Sequence, residues 1–134
     1  MARDPRKLRM FGLADELLME TYRATARFPS EELYGLRSQL RRAAVSTASN
    51  IVEGCARRTT REYVHFLHVA TGSAAEAAYL LDVAQRLGFV DEATQAQLGS
   101  RYSELLAGLQ KLTASLSQVR SSTSPEAQSP KPEA

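Results

Sequence analysis

The chain has 134 residues, 43% of them hydrophobic, and a net charge of +2, which suits a single soluble domain around one core. No apolar run approaches the ~20 residues that cross a bilayer, and the charged start MARDPRKLRM lacks the apolar stretch of a secretory signal. One cysteine, Cys55, permits no internal disulfide and fits a reducing compartment, so a cytoplasmic location is expected.

Residues 1–9 read as a short flexible basic arm, with Arg3, Arg6, Lys7 and Arg9. A helix is predicted from Met10 to Arg27, where Leu13, Leu17, Thr21 and Ala24 recur at spacings of three and four. Phe28-Pro29 ends it, because proline pushes the preceding residue out of helical geometry. Between Arg9 and Arg120, Pro29 is the only proline, which leaves room for long helices.

The second helix is expected from Glu31 to Glu53, with Ser30 as its cap. Its apolar stripe is Leu33, Leu36, Leu40, Ala43, Ala44, Thr47 and Ile51, and Gly54 is expected as a left-handed stop. Thr59 and Glu62 open a third helix as a capping box. Tyr63, Phe66, Leu67, Ala70, Ala74, Ala77, Leu81 and Ala84 form its stripe, and Gly88 closes it. Asp91 caps a fourth helix, whose Leu98, Tyr102, Leu105, Leu109, Leu112, Leu116 and Val119 follow a heptad alternation. From Ser121 onward, SSTSPEAQSPKPEA cannot bury apolar surface and is expected to be disordered.

The reading is therefore all-α. Residues 10–120 form an antiparallel up-down-up-down four-helix bundle with short connections. The last two helices are the longest, about 40 Å each at ~1.5 Å per residue. No strand pattern and no internal repeat is visible.

The second and third helices carry more than a core stripe. On the second, Arg37, Arg41, Val45, Ala48 and Val52 lie to one side of the stripe, and Gln39, Arg42, Ser46, Ser49, Asn50 and Glu53 occupy the other flank and the far side. Glu62, His65, Val69, Gly72, Ser73 and Glu76 line the third. Short amides and hydroxyls permit close approach and specific hydrogen bonds. Gly72 in a helix interior costs ~1 kcal/mol against alanine, which points to a packing reason. These surfaces are expected to be buried, in part by other subunits, with Arg42 pairing to Glu76 within or between chains.

Charge is unevenly spread. Residues 1–61 carry an excess of five positive charges and residues 62–134 an excess of three negative ones. Arg37 and Arg41 make a basic stripe on the second helix; Arg57, Arg58 and Arg61 bracket the start of the third. Helix N-termini favour anions, and repetition around an oligomer would multiply these patches into a field suited to RNA or DNA. No aromatic platform for base stacking accompanies them.

Catalytic patterns are lacking. Glu62-x-x-His65 occurs once, where a di-iron bundle uses that spacing twice. His65 and His68 have no evident third ligand. Arg57 and Arg58 are placed to lower the Cys55 pKa, but no His or Asn partner accompanies the thiol. There is no phosphate loop and no nucleophile elbow. The expectation is a non-enzymatic protein without a metal or cofactor. Three readings stay open: an adaptor for RNA or nucleoprotein, a protein–protein assembly module, and a ligand- or metal-binding bundle.

FPSEELYGLRSQLRRAAVSTASNIVEGCARR followed by EYVHFLHVATGSAAE resembles the four-helix bundle proteins encoded in intervening sequences of bacterial 23S ribosomal RNA genes. Phe28-Pro29, Gln39, Arg42-Ala43, Ser46, Asn50-Ile51, Glu53-Gly54, Glu62, Gly72-Ser73 and Glu76 carry the resemblance, which spans roughly Leu8 to Leu116. It implies a homopentameric ring with a central channel and a link to RNA. Related bundles are accessory proteins of reverse transcriptases in diversity-generating retroelements. The resemblance implies no catalytic residues.

Overall fold

The structure, a computed structural model, describes residues 3–5 and 8–123. Among these, four α-helices and no strand occur: α1 (Arg9–Thr25), α2 (Leu36–Cys55), α3 (Thr60–Arg86) and α4 (Glu92–Thr123). As expected, α3 and α4 are the longest, at 27 and 32 residues. Part of the expected basic arm, Arg6 and Lys7 included, lies outside the described residues, and so does most of the expected disordered tail. No described helix is long and apolar enough to cross a membrane.

Each helix packs on two others. α2 packs on α3 most extensively, α3 on α4, and α1 on both α2 and α4. The shared core runs from Ala14 and Leu17 through Leu40, Ile51, Leu67, Ala70, Ala74 and Leu81 to Leu98, Tyr102, Leu105 and Leu109. The stripes of α3 and α4 fall largely where periodicity places them, although Phe66, Leu112 and Leu116 are only partly buried and the Val119 side chain lies outside what is described. On α1 the buried line is Met10, Ala14, Leu17, Thr21 and Thr25, rotated slightly from the expected Leu13 and Ala24. Polar members of this line are satisfied: the Thr21 and Tyr102 hydroxyls share a hydrogen bond of 2.8 Å, and Thr25 donates to the Thr21 carbonyl at 2.8 Å.

The helix ends show where local chemistry decides and where packing does. Thr59 accepts from the Glu62 amide at 3.1 Å, and Asp91 from the Thr94 amide at 2.7 Å. Gly88 takes φ +83°, and the Phe89 amide reaches back to the Ala84 carbonyl at 2.9 Å, closing α3 in a left-handed turn. Phe89 then meets Phe28, ring centroids 5.5 Å apart, so the α1–α2 and α3–α4 turns touch.

Four expectations about α2 are corrected. The helix begins at Leu36, not Glu31; Ser30–Glu32 is a separate 3₁₀ turn. Ser30 does not cap it. Instead Glu32 accepts from the Leu36 amide at 3.0 Å, a carboxylate on free helix N–H groups. Leu33, placed in the core stripe by periodicity, is exposed because it precedes the helix. Gly54 is not a left-handed stop either. It is buried inside α2, which continues to Cys55, and its φ is not positive. A Cβ there would stand 3.0 Å from the Phe66 Cβ and 3.1 Å from Tyr63 Cδ1. Gly54 is present because α3 leaves no room for a side chain.

Candidate functional site

Two groups of polar residues stand out, a seam between α2 and α3 and a basic corner where they join. In the seam, the Ser46 and Ser73 hydroxyls lie 2.7 Å apart. Asn50 donates to the Ser46 carbonyl at 2.8 Å and to its hydroxyl at 3.0 Å. One side-chain network thus links the two helices in a half-buried place. Farther from the junction, Gln39, Arg42, Ala43, Ser46 and Glu76 line a cleft of about 240 Å³. Arg42 and Glu76 share this cleft, but no ion pair joins them within the chain, so the expected intrachain contact does not form.

Outside the seam, α2 and α3 both expose large apolar side chains. Val45 and Val52 on α2 are 40% and 41% exposed, and Val69 and Tyr79 on α3 are 38% and 61% exposed. Ser49, Gly72 and Ala75 are small and exposed, and nothing lies within 4 Å of where a Gly72 Cβ would be. Large exposed apolar side chains are candidates for interaction surfaces.

The basic corner is less free than its sequence suggests. Arg57 pairs with Glu53 one turn back and lies over the Phe66 ring, 4.7 Å from its centroid. Its Nε is buried without an acceptor, as is that of Arg37. Arg41 donates to the Thr25 hydroxyl at 2.7 Å and the Tyr22 carbonyl at 2.9 Å, and stacks on the Tyr22 ring at 4.2 Å. Desolvation, then the neighbouring Arg37, pulls its pKa down. Arg41 and Arg57 therefore hold helices together. Arg58 and Arg61 are exposed and have no hydrogen bond or ion pair among the described residues. Arg3, expected on a free arm, is docked: its amide donates to the Cys55 carbonyl at 2.8 Å, and its guanidinium covers the Tyr63 ring at 4.1 Å.

Residues 6–111 match the model of the 23S rRNA-intervening sequence proteins. The chain belongs to that family. Among curated proteins none matches it. The fold is similar to the crystal structure of a Bacteroides thetaiotaomicron protein of unknown function from the S23 ribosomal protein family. The TM-score is 0.70 over 78% of this chain and 97% of that one, at 16% identity, a likeness of fold alone.

In this intervening-sequence family member the remaining chemistry-bearing residues stand apart. Among the described residues, no three His, Cys, Asp or Glu side chains form a group that could hold a metal ion. His65 and His68 are exposed, His65 with its ring edge-on to Phe66 at a centroid distance of 5.1 Å, and Glu62 is exposed as well. Glu53 is occupied by Arg57. Cys55 is buried, and burial raises its pKa, outweighing the opposing hydrogen bond with Tyr63 and the charge of Arg3. The expected lowering by Arg57 and Arg58 does not occur, because the thiol sits inside the α2–α3 packing. Sequence reasoning misses Arg101, which bridges Glu16 and Glu20 of α1 from α4, the latter at 2.8 Å. The one signal is the spacing of four between Glu16 and Glu20; the axial register of α4 is not legible in the sequence.

Proposed function

We propose that this chain is a non-enzymatic subunit of a homo-oligomeric ring, an adaptor built from an antiparallel up-down-up-down bundle. Its α2–α3 face meets another copy, and its exposed arginines carry RNA or a nucleoprotein. The observation that carries the assembly reading is the exposure of the large apolar side chains Val45 and Val52 on α2 and Val69 and Tyr79 on α3. Arg42 and Glu76, unpaired with each other inside the chain but sharing one cleft, are suited to cross such an interface. Helices that pack on their sequence neighbours support the up-down order, and family membership supports the link to ribosomal RNA genes; the ring is what the resemblance implies. Nucleic acid would meet Arg58 and Arg61, repeated in every subunit.

The test is light-scattering mass with nucleic-acid absorbance on the same chromatographic peak. A multiple of 14.7 kDa that falls to the single-chain mass in Val45→Glu/Val52→Glu supports assembly through this face; a wild-type protein already at single-chain mass overturns it. Bound RNA that dissociates between about 50 and 200 mM salt supports the adaptor role.

A second reading is favoured by the internal engagement of Arg41 and Arg57. With those two committed to packing, the chain is a protein–protein assembly module in which nucleic acid has no part. An oligomer with no salt-sensitive RNA binding would establish it.

A further inference from the structure

A further cleft lies away from both the seam and the basic corner. It has a volume of about 410 Å³ and sits where the end of α1 meets the α3–α4 turn and the start of α4. That size is within the ~300–1,000 Å³ range of small-molecule sites. Its apolar lining is Ala24, Phe89, Val90 and Leu98. Val90 and Leu98 are almost fully buried, and Phe89 is braced by Phe28, ring centroids 5.5 Å apart.

The charged lining is asymmetric. Glu20 accepts from Arg101 at 2.8 Å, and Asp91 accepts from the Thr94 amide at 2.7 Å, so both carboxylates are engaged by the protein. Arg23 and Arg27, one turn apart, are exposed and make no hydrogen bond or ion pair among the described residues. Asp91 feels the charge of Arg27 only as the last of the influences on its pKa, behind its bonds to Thr94. The cleft therefore offers two guanidiniums and an apolar wall; of its two acids, Glu20 is ion-paired with Arg101, while Asp91 caps α4 through Thr94 and keeps its charge near Arg27. Guanidiniums grip carboxylate and phosphate oxygens with two parallel hydrogen bonds.

We propose that this cleft binds a small organic anion, its carboxylate or phosphate on Arg23 and Arg27 and its apolar body against Phe89, Val90 and Leu98. This site shares no residue with the α2–α3 face, so its failure and that of the assembly reading would show up in different measurements.

The probe is 1-anilinonaphthalene-8-sulfonate, which joins an apolar ring system to one sulfonate, titrated by fluorescence into the full chain. Saturable binding with one site per chain is expected. Arg23→Gln/Arg27→Gln should weaken it about 10-fold or more, the scale of losing a charge-assisted hydrogen bond. Both arginines are exposed, so the core stays intact. Ala24→Phe, which fills the cleft without altering charge, should weaken binding comparably. Octanoate and adenosine monophosphate then compete: displacement by the first assigns a carboxylate ligand, by the second a phosphate ligand. Binding unchanged by the arginine pair, or displaced by neither competitor, overturns the proposal.

Discussion

Ser46 and Ser73 hold their hydroxyl oxygens 2.7 Å apart across the contact between α2 and α3, and Asn50 secures the same Ser46 hydroxyl at 3.0 Å. A side-chain hydrogen bond contributes about 1 kcal/mol net. Ser73→Ala should therefore lower the unfolding free energy by about that amount. Ser46→Ala should cost more, about 1–2 kcal/mol, because it strips a partner from both Ser73 and Asn50. Groups in one network are coupled, so the double variant should cost less than the sum. Urea unfolding of the four proteins measures this; additive costs would mean that no network exists.

Gly54 and Gly72 lead to opposite predictions for the same substitution. A Cβ on Gly54 would stand 3.0 Å from Phe66 Cβ and 3.3 Å from the Tyr63 carbonyl oxygen. Gly54→Ala gains ~1 kcal/mol of helix propensity but forces α2 and α3 apart, and overpacking of this kind costs about 1–3 kcal/mol. The melting temperature should fall. Gly72 is exposed with nothing within 4 Å of its Cβ position. Gly72→Ala should stabilise the single chain by up to about 1 kcal/mol while weakening self-association, because the added methyl lies on the face that another copy is proposed to cover. Thermal melts with light scattering on the same samples separate the two effects. A stabilised Gly72→Ala that assembles like the wild type would place Gly72 outside the interface.

What the sequence makes legible is mainly what depends on one helix at a time. Tyr63, Leu67, Ala70 and Ala74 follow the helical period and are buried, and Thr59, Gly88 and Asp91 act through neighbours a few residues away. Gly54 resists such reading because a glycine at a helix end has two explanations, a left-handed turn or a close neighbour. Only the position of α3 decides between them. The arginines are ambiguous for a similar reason. The long side chain of Arg41 ends wherever acceptors are found, and the Tyr22 carbonyl and Thr25 hydroxyl are brought to it by the packing of α1. Arg101 and Glu20 are 81 residues apart in sequence, and no local pattern sets that register.

Buried tyrosines make the fold sensitive to alkali. Tyr102 is almost fully buried against Thr21, and desolvation raises its pKa above the ordinary tyrosine value of about 10. Below that value folded and unfolded chains both hold the proton, and the contribution to stability is complete. Above it the unfolded chain releases the proton first, the native state binds more protons, and stability falls until the raised folded value is passed. Tyr63 acts in the same direction, and Cys55 does so from the lower thiol range of about 8.5. Unfolding free energy measured by denaturant should thus decline above about pH 8.5. Tyr102→Phe should cost about 1 kcal/mol at neutral pH and show a shallower decline above pH ~10. An unchanged alkaline slope in that variant would remove Tyr102 from the account.

Arg41 and the pair Arg58 and Arg61 separate structural from partner-facing charge. Arg41 commits its guanidinium to Tyr22 and Thr25, whereas Arg58 and Arg61 stand exposed at the junction of α2 and α3. Arg41→Gln should lower stability by about 1–2 kcal/mol through the loss of hydrogen bonds and ring stacking. Per folded chain it should leave RNA affinity unchanged. Arg58→Gln/Arg61→Gln should leave the melting temperature within a degree or so, since exposed charges away from packing contribute about ±0.5 kcal/mol. If the adaptor reading holds, the same pair should weaken RNA binding and reduce the magnitude of the slope of log K against log salt by about one for each phosphate no longer neutralised. Filter binding across a salt series measures both affinity and slope. A drop in affinity for Arg41→Gln with none for the pair would mean that RNA meets the α1–α2 side of the bundle, and the basic corner would then have no role in binding.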